Sequence, residues 1–342
     1  VIRADASPRI GTGHVARCIA LAQAWECVAG TVIFATALES PGMSRRLDSG
    51  GFDMVRLNVQ PGSAIDATEV SYLALDRNAD WVVTDGYHFN VEYHRIIKDA
   101  GLRLMAIDDE GKLEQYLYPD IILNQNIYAT EDLYQGRIND ARLLLGTGYV
   151  LLRNEYLQWL GWSRETPKPA CKLLVTLGGS DPYNVTLKVI DALKDFEFSD
   201  LEVRIVVGFE NRQIEEICEA VQQIPGKVEL LNSVTDMAEL MAWADMAVSG
   251  AGSICWELAF MGLPALLIVI AENQSNIASN LDAIGAATNL GWHSGVSSSD
   301  IAAAIALLSG DADRRSSMNK ISRALVDGNS MDRVIHALIA ES

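Results

Sequence analysis

Short apolar runs alternate with amphipathic or glycine-stopped stretches along the whole chain, and that rhythm narrows the folds open to it. Candidate strands in the first half are Val1–Asp5, Thr31–Thr36, Asp53–Leu57, Trp81–Asp85, Arg103–Asp108 and Asp120–Asn124. The second half repeats the pattern at Lys172–Leu177, Leu201–Val207, Lys227–Leu231, Met246–Ser249 and Ala265–Ile270. Helical patterns fall between them, at Val15–Ala29, Asn90–Ala100, Val185–Phe196, Arg212–Gln223, Asp236–Ala244, Ser253–Met261 and Asn273–Ile284. Strands that are apolar without alternation are covered on both faces. Strand–helix alternation implies parallel sheets wound on both sides. The expected class is α/β, with two Rossmann-like parallel-sheet domains facing across a cleft. Ser163–Pro169 holds Pro167 and Pro169 and no periodicity, so the linker is expected there, between domains spanning 1–162 and 170–342. Further helices are expected at Ser298–Leu308, Asp311–Val326 and Met331–Ile339, the last a candidate to pack back on the first domain.

Composition excludes several function classes. The 342 residues suit two domains. A formal charge of −18, with no basic stripe, argues against nucleic acid as a partner. An anionic ligand would have to be held by local N–H groups rather than by the global field. Cys18, Cys27, Cys171, Cys218 and Cys255 are scattered and lack metal spacing, so they read as reduced thiols of a cytoplasmic protein. The longest apolar run, Pro264–Ala271, is far too short to span a bilayer, and no signal peptide is visible. No membrane and no obligatory protein partner is inferred.

The chemistry concentrates in turns. Gly11-Thr12-Gly13-His14 follows the first strand and opens a helix. Glycine lets backbone approach a ligand, and the helix start presents unpaired N–H groups. A lone histidine is usually a cap or a packing residue. At a strand's carboxyl end, where open α/β sheets bind ligands, His14 is a candidate for proton transfer. The helix N-terminus disfavours imidazolium, so His14 is expected neutral and able to accept a proton. Gly178-Gly179-Ser180-Asp181-Pro182 is either an ordinary turn with a Ser or Asp cap, or a ligand wall lending N–H groups.

Ser249-Gly250-Ala251-Gly252-Ser253 is neither a Walker loop nor the dinucleotide fingerprint. Ser253 can cap a helix or bond a phosphate oxygen, and Glu257 lies one turn on, placed to accept from ribose hydroxyls. The plain alternative for Glu257 is a solvated helix-surface carboxylate. Ala271-Glu272-Asn273-Gln274 follows a buried strand, with Asn273 either a site residue or a cap. Tyr87, after Asp85-Gly86, either bonds a sugar or packs. Asp108-Asp109 either caps its loop or holds a divalent metal, and it lacks a third ligand, so no metal and no cofactor is expected. His88, His94, His293 and His336 show no partner pattern and read as structural.

Taken in order, these residues resemble the UDP-sugar hydrolases of pseudaminic acid biosynthesis, which act on UDP-2,4-diacetamido-2,4,6-trideoxy-β-L-altropyranose. That family is similar in fold to two-domain GT-B glycosyltransferases. The likeness rests on Arg3-Ala4-Asp5-Ala6-Ser7, Ile10–Cys18, Asp85-Gly86-Tyr87, Ile107-Asp108-Asp109, Leu123-Asn124-Gln125-Asn126 and Leu151-Leu152-Arg153. It continues through Leu177–Pro182, Trp256-Glu257, Gly262-Leu263-Pro264 and Ala271–Gln274. The resemblance implies that His14 is the general base that activates water and that UDP leaves with inversion. It implies that the glycine turn and Glu257 hold UDP and that Asn273 and Gln274 line the sugar side. Gly11, Thr12, Gly13, Arg17, Tyr87, Gly179, Ser180, Gly252, Ser253 and Glu272 complete the expected substrate contacts. The chain departs from the family at Ile254 and Cys255, where hydroxyl residues are usual, and at Gly86, where histidine is common. The rival readings are a glycosyltransferase using a UDP-sugar donor and a non-catalytic nucleotide-sugar binding subunit.

Overall fold

The structure, a computed structural model, describes residues 1–7, 10–28, 30–38, 40–111, 118–136, 140–194, 201–208, 210–232, 234 and 236–341. The expected helix ends at Ala29 and Phe196 lie outside the described residues. The chain divides into two compact units, Val1–Asn154 with Asn329–Ser342, and Glu155–Gly328.

The first unit runs β1 (Ile2–Ala4), α1 (Gly13–Cys27), β2 (Ile33–Thr36), α2 (Pro41–Ser49), β3 (Asp53–Arg56), α3 (Ala64–Asp76) and β4 (Trp81–Asp85). It continues with α4 (Val91–Asp99), β5 (Arg103–Ile107), β6 (Ile121–Asn124) and β7 (Arg142–Leu145). The seven strands form one parallel sheet in the order β3-β2-β1-β4-β5-β6-β7. Every residue of β4 is buried, as expected for a central strand covered on both faces. Local signals set the helix ends: Asn90 accepts from the Tyr93 N–H at 2.9 Å to start α4.

A short helix, α5 (Asn154–Leu157), leads into the second unit. There follow β8 (Lys172–Thr176), α6 (Val185–Lys194), β9 (Glu202–Val207), α7 (Ile214–Val221), β10 (Lys227–Asn232), α8 (Met237–Trp243) and β11 (Met246–Gly250). The unit closes with α9 (Ile254–Phe260), β12 (Ala265–Val269), α10 (Glu272–Ala283), β13 (Thr288–Trp292), α11 (Ser298–Gly310) and α12 (Ala312–Leu325). Its sheet is also parallel, in the order β10-β9-β8-β11-β12-β13. Both units are therefore Rossmann-like. The chain then returns to the first unit as α13 (Ser330–Ala340), whose Met331, Val334, Ile335 and Leu338 share a core with Ile19, Ala22 and Phe34.

The division at Asn154 and Glu155 corrects the expected linker at Ser163–Pro169. The proline stretch is packed on the second unit. Arg164 donates to the carbonyls of Met241, Ala244 and Met261, and Arg315 donates to that of Pro167. Proline breaks periodicity, but these guanidinium bonds hold the segment as part of the domain. Among the described residues no helix is long and apolar enough to cross a membrane.

Candidate active site

In the first unit, Ser7 and Gly11 pair with each other between β1 and α1. The Gly11 N–H donates to the Ser7 carbonyl at 2.7 Å, and Gly11 has φ +82°, a conformation that costs glycine nothing. Thr12 is the N-cap residue, without a side-chain cap bond, and His14 falls in the first turn of the helix. Arg17 lies one turn further along, which puts it on the face of His14.

Both side chains are buried and meet Asp85, the last residue of β4, which is fully enclosed. His14 Nδ1 lies 2.6 Å from Asp85 Oδ1. Arg17 forks onto the same carboxylate, from Nε to Oδ2 and from Nη2 to Oδ1, each at 2.6 Å. Its other edge forks onto Asp109, from Nη1 to Oδ1 at 2.6 Å and from Nη2 to Oδ2 at 2.9 Å. Asp109 also accepts from the Tyr87 hydroxyl at 3.1 Å and from Asn126 Nδ2 at 3.2 Å. Tyr87 is 55% exposed, and its ring meets that of His14 edge-on at 5.0 Å. His14, Asp85, Arg17, Asp109 and Tyr87 form a closed circuit, braced by Asn126, beside a cavity of about 240 Å³, lined by His14, Arg17, Tyr87, Phe89, His94 and Asp109 among others.

Burial alone would raise the Asp85 and Asp109 carboxyls. The guanidinium of Arg17 outweighs it at both, and His14 adds to the effect, so Asp85 is held well below the usual carboxylate range and Asp109 is lowered too. Burial would likewise lower Arg17, but two adjacent carboxylates push it further up. Asp108 behaves differently. Burial pushes it up, and its oxygens accept from the Glu110 and Gly111 N–H groups and the Tyr134 hydroxyl. The two neighbouring aspartates therefore serve separate partners: Asp108 caps its own loop and Asp109 grips Arg17. Among the described residues no cluster of three or more His, Cys, Asp or Glu could hold a metal ion.

Of the expected residues, the structure gathers His14, Arg17 and Tyr87. Four of the five Arg17 N–H groups are engaged by Asp85 and Asp109, so its bonds lie inside the protein. Sequence reasoning missed the roles of Asp85 and Asp109. Both stood in quoted motifs at strand ends, which was the available signal. Burial pushes His94 down to about 4, which keeps it neutral, and its Nε2 lies 3.2 Å from Thr84 Oγ1.

In the second unit, two glycine turns leave the adjacent strands β8 and β11. Gly178 has φ +91°, and Asp181 then caps α6, accepting from the N–H groups of Val185 and Thr186 at 2.8 Å. Gly179 and Ser180 are partly exposed at this turn. At the other, Ser253 occupies the N-cap position of α9 but makes no side-chain cap bond. Gln274 Oε1 accepts from the Ile270 N–H at 2.9 Å, and a β-carbon on Gly252 would lie 3.6 Å from Gln274 Nε2. The amide end of Gln274 thus stands over the glycine turn.

Asn273 is not the cap of α10. Ala271 occupies that position, and Glu272 and Asn273 lie in the first turn. Half-buried Glu257 accepts from the Tyr156 hydroxyl at 2.7 Å. Cys255 is buried in the core, where burial raises its thiol far above its ordinary value. Of the structural histidines, His293 stacks on Tyr183 with ring centroids 4.1 Å apart, and His88 Nε2 lies 3.3 Å from Asp5 Oδ2.

Comparisons with known proteins agree with this architecture. Residues 173–334, just under half the chain, match the glycosyltransferase family 28 C-terminal domain. An uncharacterized protein, MJ1062, from Methanocaldococcus jannaschii is 24% identical over 79% of this chain and 55% of its own length. The chain thus corresponds to little more than half of that relative. The UDP-2,4-diacetamido-2,4,6-trideoxy-beta-L-altropyranose hydrolase of Campylobacter jejuni is 22% identical over 82% of this chain and 94% of its own. Among solved structures, spinosyn rhamnosyltransferase SpnG complexed with thymidine diphosphate superposes with a TM-score of 0.69. It is 15% identical and covers 98% of this chain and 99% of its own, which makes the fold that of a GT-B glycosyltransferase. The chain is therefore similar to enzymes of the sugar-nucleotide and glycosyltransferase type.

Proposed function

We propose that this chain hydrolyses a UDP-linked 2,4-diacetamido-2,4,6-trideoxy sugar at its anomeric carbon, with His14 as general base. The observation that carries the reading is the 2.6 Å contact between His14 Nδ1 and the buried Asp85, beside a cavity at the carboxyl edge of the sheet. A carboxylate on one imidazole nitrogen orients the ring and stabilises the imidazolium that forms when the other nitrogen takes a proton. Water then attacks the anomeric carbon and gives its proton to His14 Nε2. The bond from that carbon to the diphosphate oxygen breaks, and the electron pair leaves with UDP. With water attacking in a single step and no covalent intermediate, the configuration inverts in this reading.

The second unit takes the nucleotide in this reading. The turns at Gly179–Ser180 and Gly252–Ser253 offer N–H groups and an uncommitted cap hydroxyl to the diphosphate, without a metal. Glu257, held by Tyr156, accepts from the ribose, and Asn273 and Gln274 serve the sugar side. The thymidine diphosphate bound to the rhamnosyltransferase SpnG is likewise a pyrimidine nucleoside diphosphate, and the Campylobacter relative is named for a UDP-sugar. Gly11, Thr12, Gly13 and Tyr87 contact substrate, whereas Arg17 positions the base.

Reaction in ¹⁸O-water tests the proposal. Label on the free sugar, none on UDP, and a fresh product of inverted configuration are expected, with turnover persisting in EDTA. The match to a glycosyltransferase domain favours the rival reading of sugar transfer. An absolute requirement for an acceptor would establish that rival, and label in the phosphate would make the enzyme a phosphohydrolase.

A further inference from the structure

The buried charges around His14 decide how well the ring can hold a proton, given the reading of His14 as the base. Asp85 Oδ1 lies 2.6 Å from His14 Nδ1 and favours the imidazolium that forms when the ring takes a proton. Arg17 works against it. Its guanidinium forks onto the same carboxylate, and its Nη2 stands 3.2 Å from Nδ1, so a positive charge is already placed against the ring. Asp85 and Arg17 alone cancel, and a cation forming beside a neutral buried pair gains little from it. Asp109 changes the balance. It takes the far edge of the guanidinium at 2.6 and 2.9 Å and leaves one net negative charge beside His14.

We propose that Asp109 is a positioning residue that acts through Arg17, taking up the guanidinium charge so that the Asp85 carboxylate stays available to support an imidazolium at His14. Asp109 is itself fixed for the task. Asn126 Nδ2 donates to its Oδ1 at 3.2 Å and the Tyr87 hydroxyl to its Oδ2 at 3.1 Å. The Tyr128 hydroxyl donates to its backbone carbonyl at 2.8 Å. The coupling is also seen from the other end: a charged His14 helps to hold the Asp109 carboxyl down, and coupling between two sites is reciprocal. The other groups near the ring leave the balance as it is. Cys18 Sγ faces Asp85 Oδ2 at 3.5 Å, and burial together with the Asp85 charge pushes its thiol up, so it stays neutral. Tyr87 meets the ring edge-on. Asp108 and Glu110 also line the cavity, and both are kept in every variant below.

A pH profile separates this role from a merely structural one. Asp109→Asn removes the charge and keeps the shape of the side chain. The acid limb of kcat/KM should then move to lower pH by about one unit, because the ring gives up its proton more readily once the net negative charge is gone. The plateau rate should fall by about 3–10-fold, as a weaker base requires. Asn126→Ala removes a hydrogen bond from Asp109 but no charge, so its acid limb should stay where the wild type has it. Circular dichroism establishes that each variant is folded. In substrate-free protein, the His14 ring signals of ¹H–¹³C spectra, assigned by their loss in His14→Asn, should titrate at lower pH in Asp109→Asn than in wild type. Wild type alone gives a check that needs no variant: the carboxyl ¹³C shift of Asp109 should remain that of a carboxylate across the acid limb. Protonation of Asp109 within that limb overturns the proposal. So does a limb and a ring titration that stay in place, or move upward, in folded Asp109→Asn. If no UDP-sugar releases UDP yet the ring titration moves down, the hydrolase reading falls and the role of Asp109 stands. If UDP is released and neither the limb nor the titration moves, the role of Asp109 falls alone.

Discussion

The two sheets share a strand order around their first strand, but their carboxyl edges are built from opposite materials. In the first unit, that edge buries Asp5, His14, Arg17, Asp85, Asp108 and Asp109. In the second, the corresponding turns offer glycines, Ser180, Ser253 and the Gln274 amide, and the buried carboxylate of Asp181 is turned inward onto α6. Buried charges must be paired, so the first edge is a stiff circuit suited to moving one proton. Neutral donors need no counter-charge inside the protein, so the second edge suits an anion. In the proposed function, this difference is how a chain of charge −18 would hold a diphosphate: the donors are local and uncharged.

The comparison is broken most directly at His14. His14→Asn should lower turnover by about 10²–10⁴-fold while UDP binding persists, since the nucleotide is assigned to the other unit. Steady-state kinetics alongside calorimetry with UDP would separate the two effects. Equal losses of rate and affinity would dissolve the proposed division of labour.

On the neutral edge, Glu257→Ala should weaken UDP by about 1–3 kcal/mol through loss of a charged acceptor. With 2′-deoxy-UDP the same change should matter less. Equal losses for both ligands would make Glu257 structural. Tyr156→Phe removes the 2.7 Å bond to that carboxylate and should cost about 0.5–1.5 kcal/mol in UDP binding, measurable by thermal shift.

The smallest effect concerns acid stability. Asp85 and Asp109 are depressed in the folded state, so their contribution is complete above the ordinary carboxylate value of about 4. It is lost as pH falls through their lower folded values. Melting followed by circular dichroism should show a steeper fall below about pH 4 in wild type than in Asp85→Asn. Parallel curves would mean that the circuit adds nothing to stability.

What could be read from sequence was local. The strands from β1 to β6 and from β8 to β12 were legible because each carries a short cluster of apolar residues between turn or helix signals, although Arg3, Arg56, Arg204 and Glu229 interrupt or end some of them. β7 is a four-residue strand, and β13 carries Asn289 and Gly291 with only partial burial, so neither announces itself. α2 begins at Pro41 and carries Arg45 and Arg46, so its pattern is faint, yet Ser40 caps it. The glycine turn and His14 stood out for the same local reason. The carboxylates around His14 and Arg17 did not, because Asp85 and Asp109 lie 68 and 92 residues from Arg17 and are joined to it only by the fold. The Asp108-Asp109 pair suggested one shared task, and tertiary packing divided it.

The return of α13 to the first unit carries a consequence for the order in which the molecule is made. A ribosome delivers residues 155–328 before it delivers Met331, Val334, Ile335 and Leu338. The second unit therefore has its whole complement of side chains while the first still lacks part of its core. Domains usually fold in the order they emerge. Here the unit that starts first is completed only when α13 emerges, and α1, the helix that carries His14, gains a packing partner at that point.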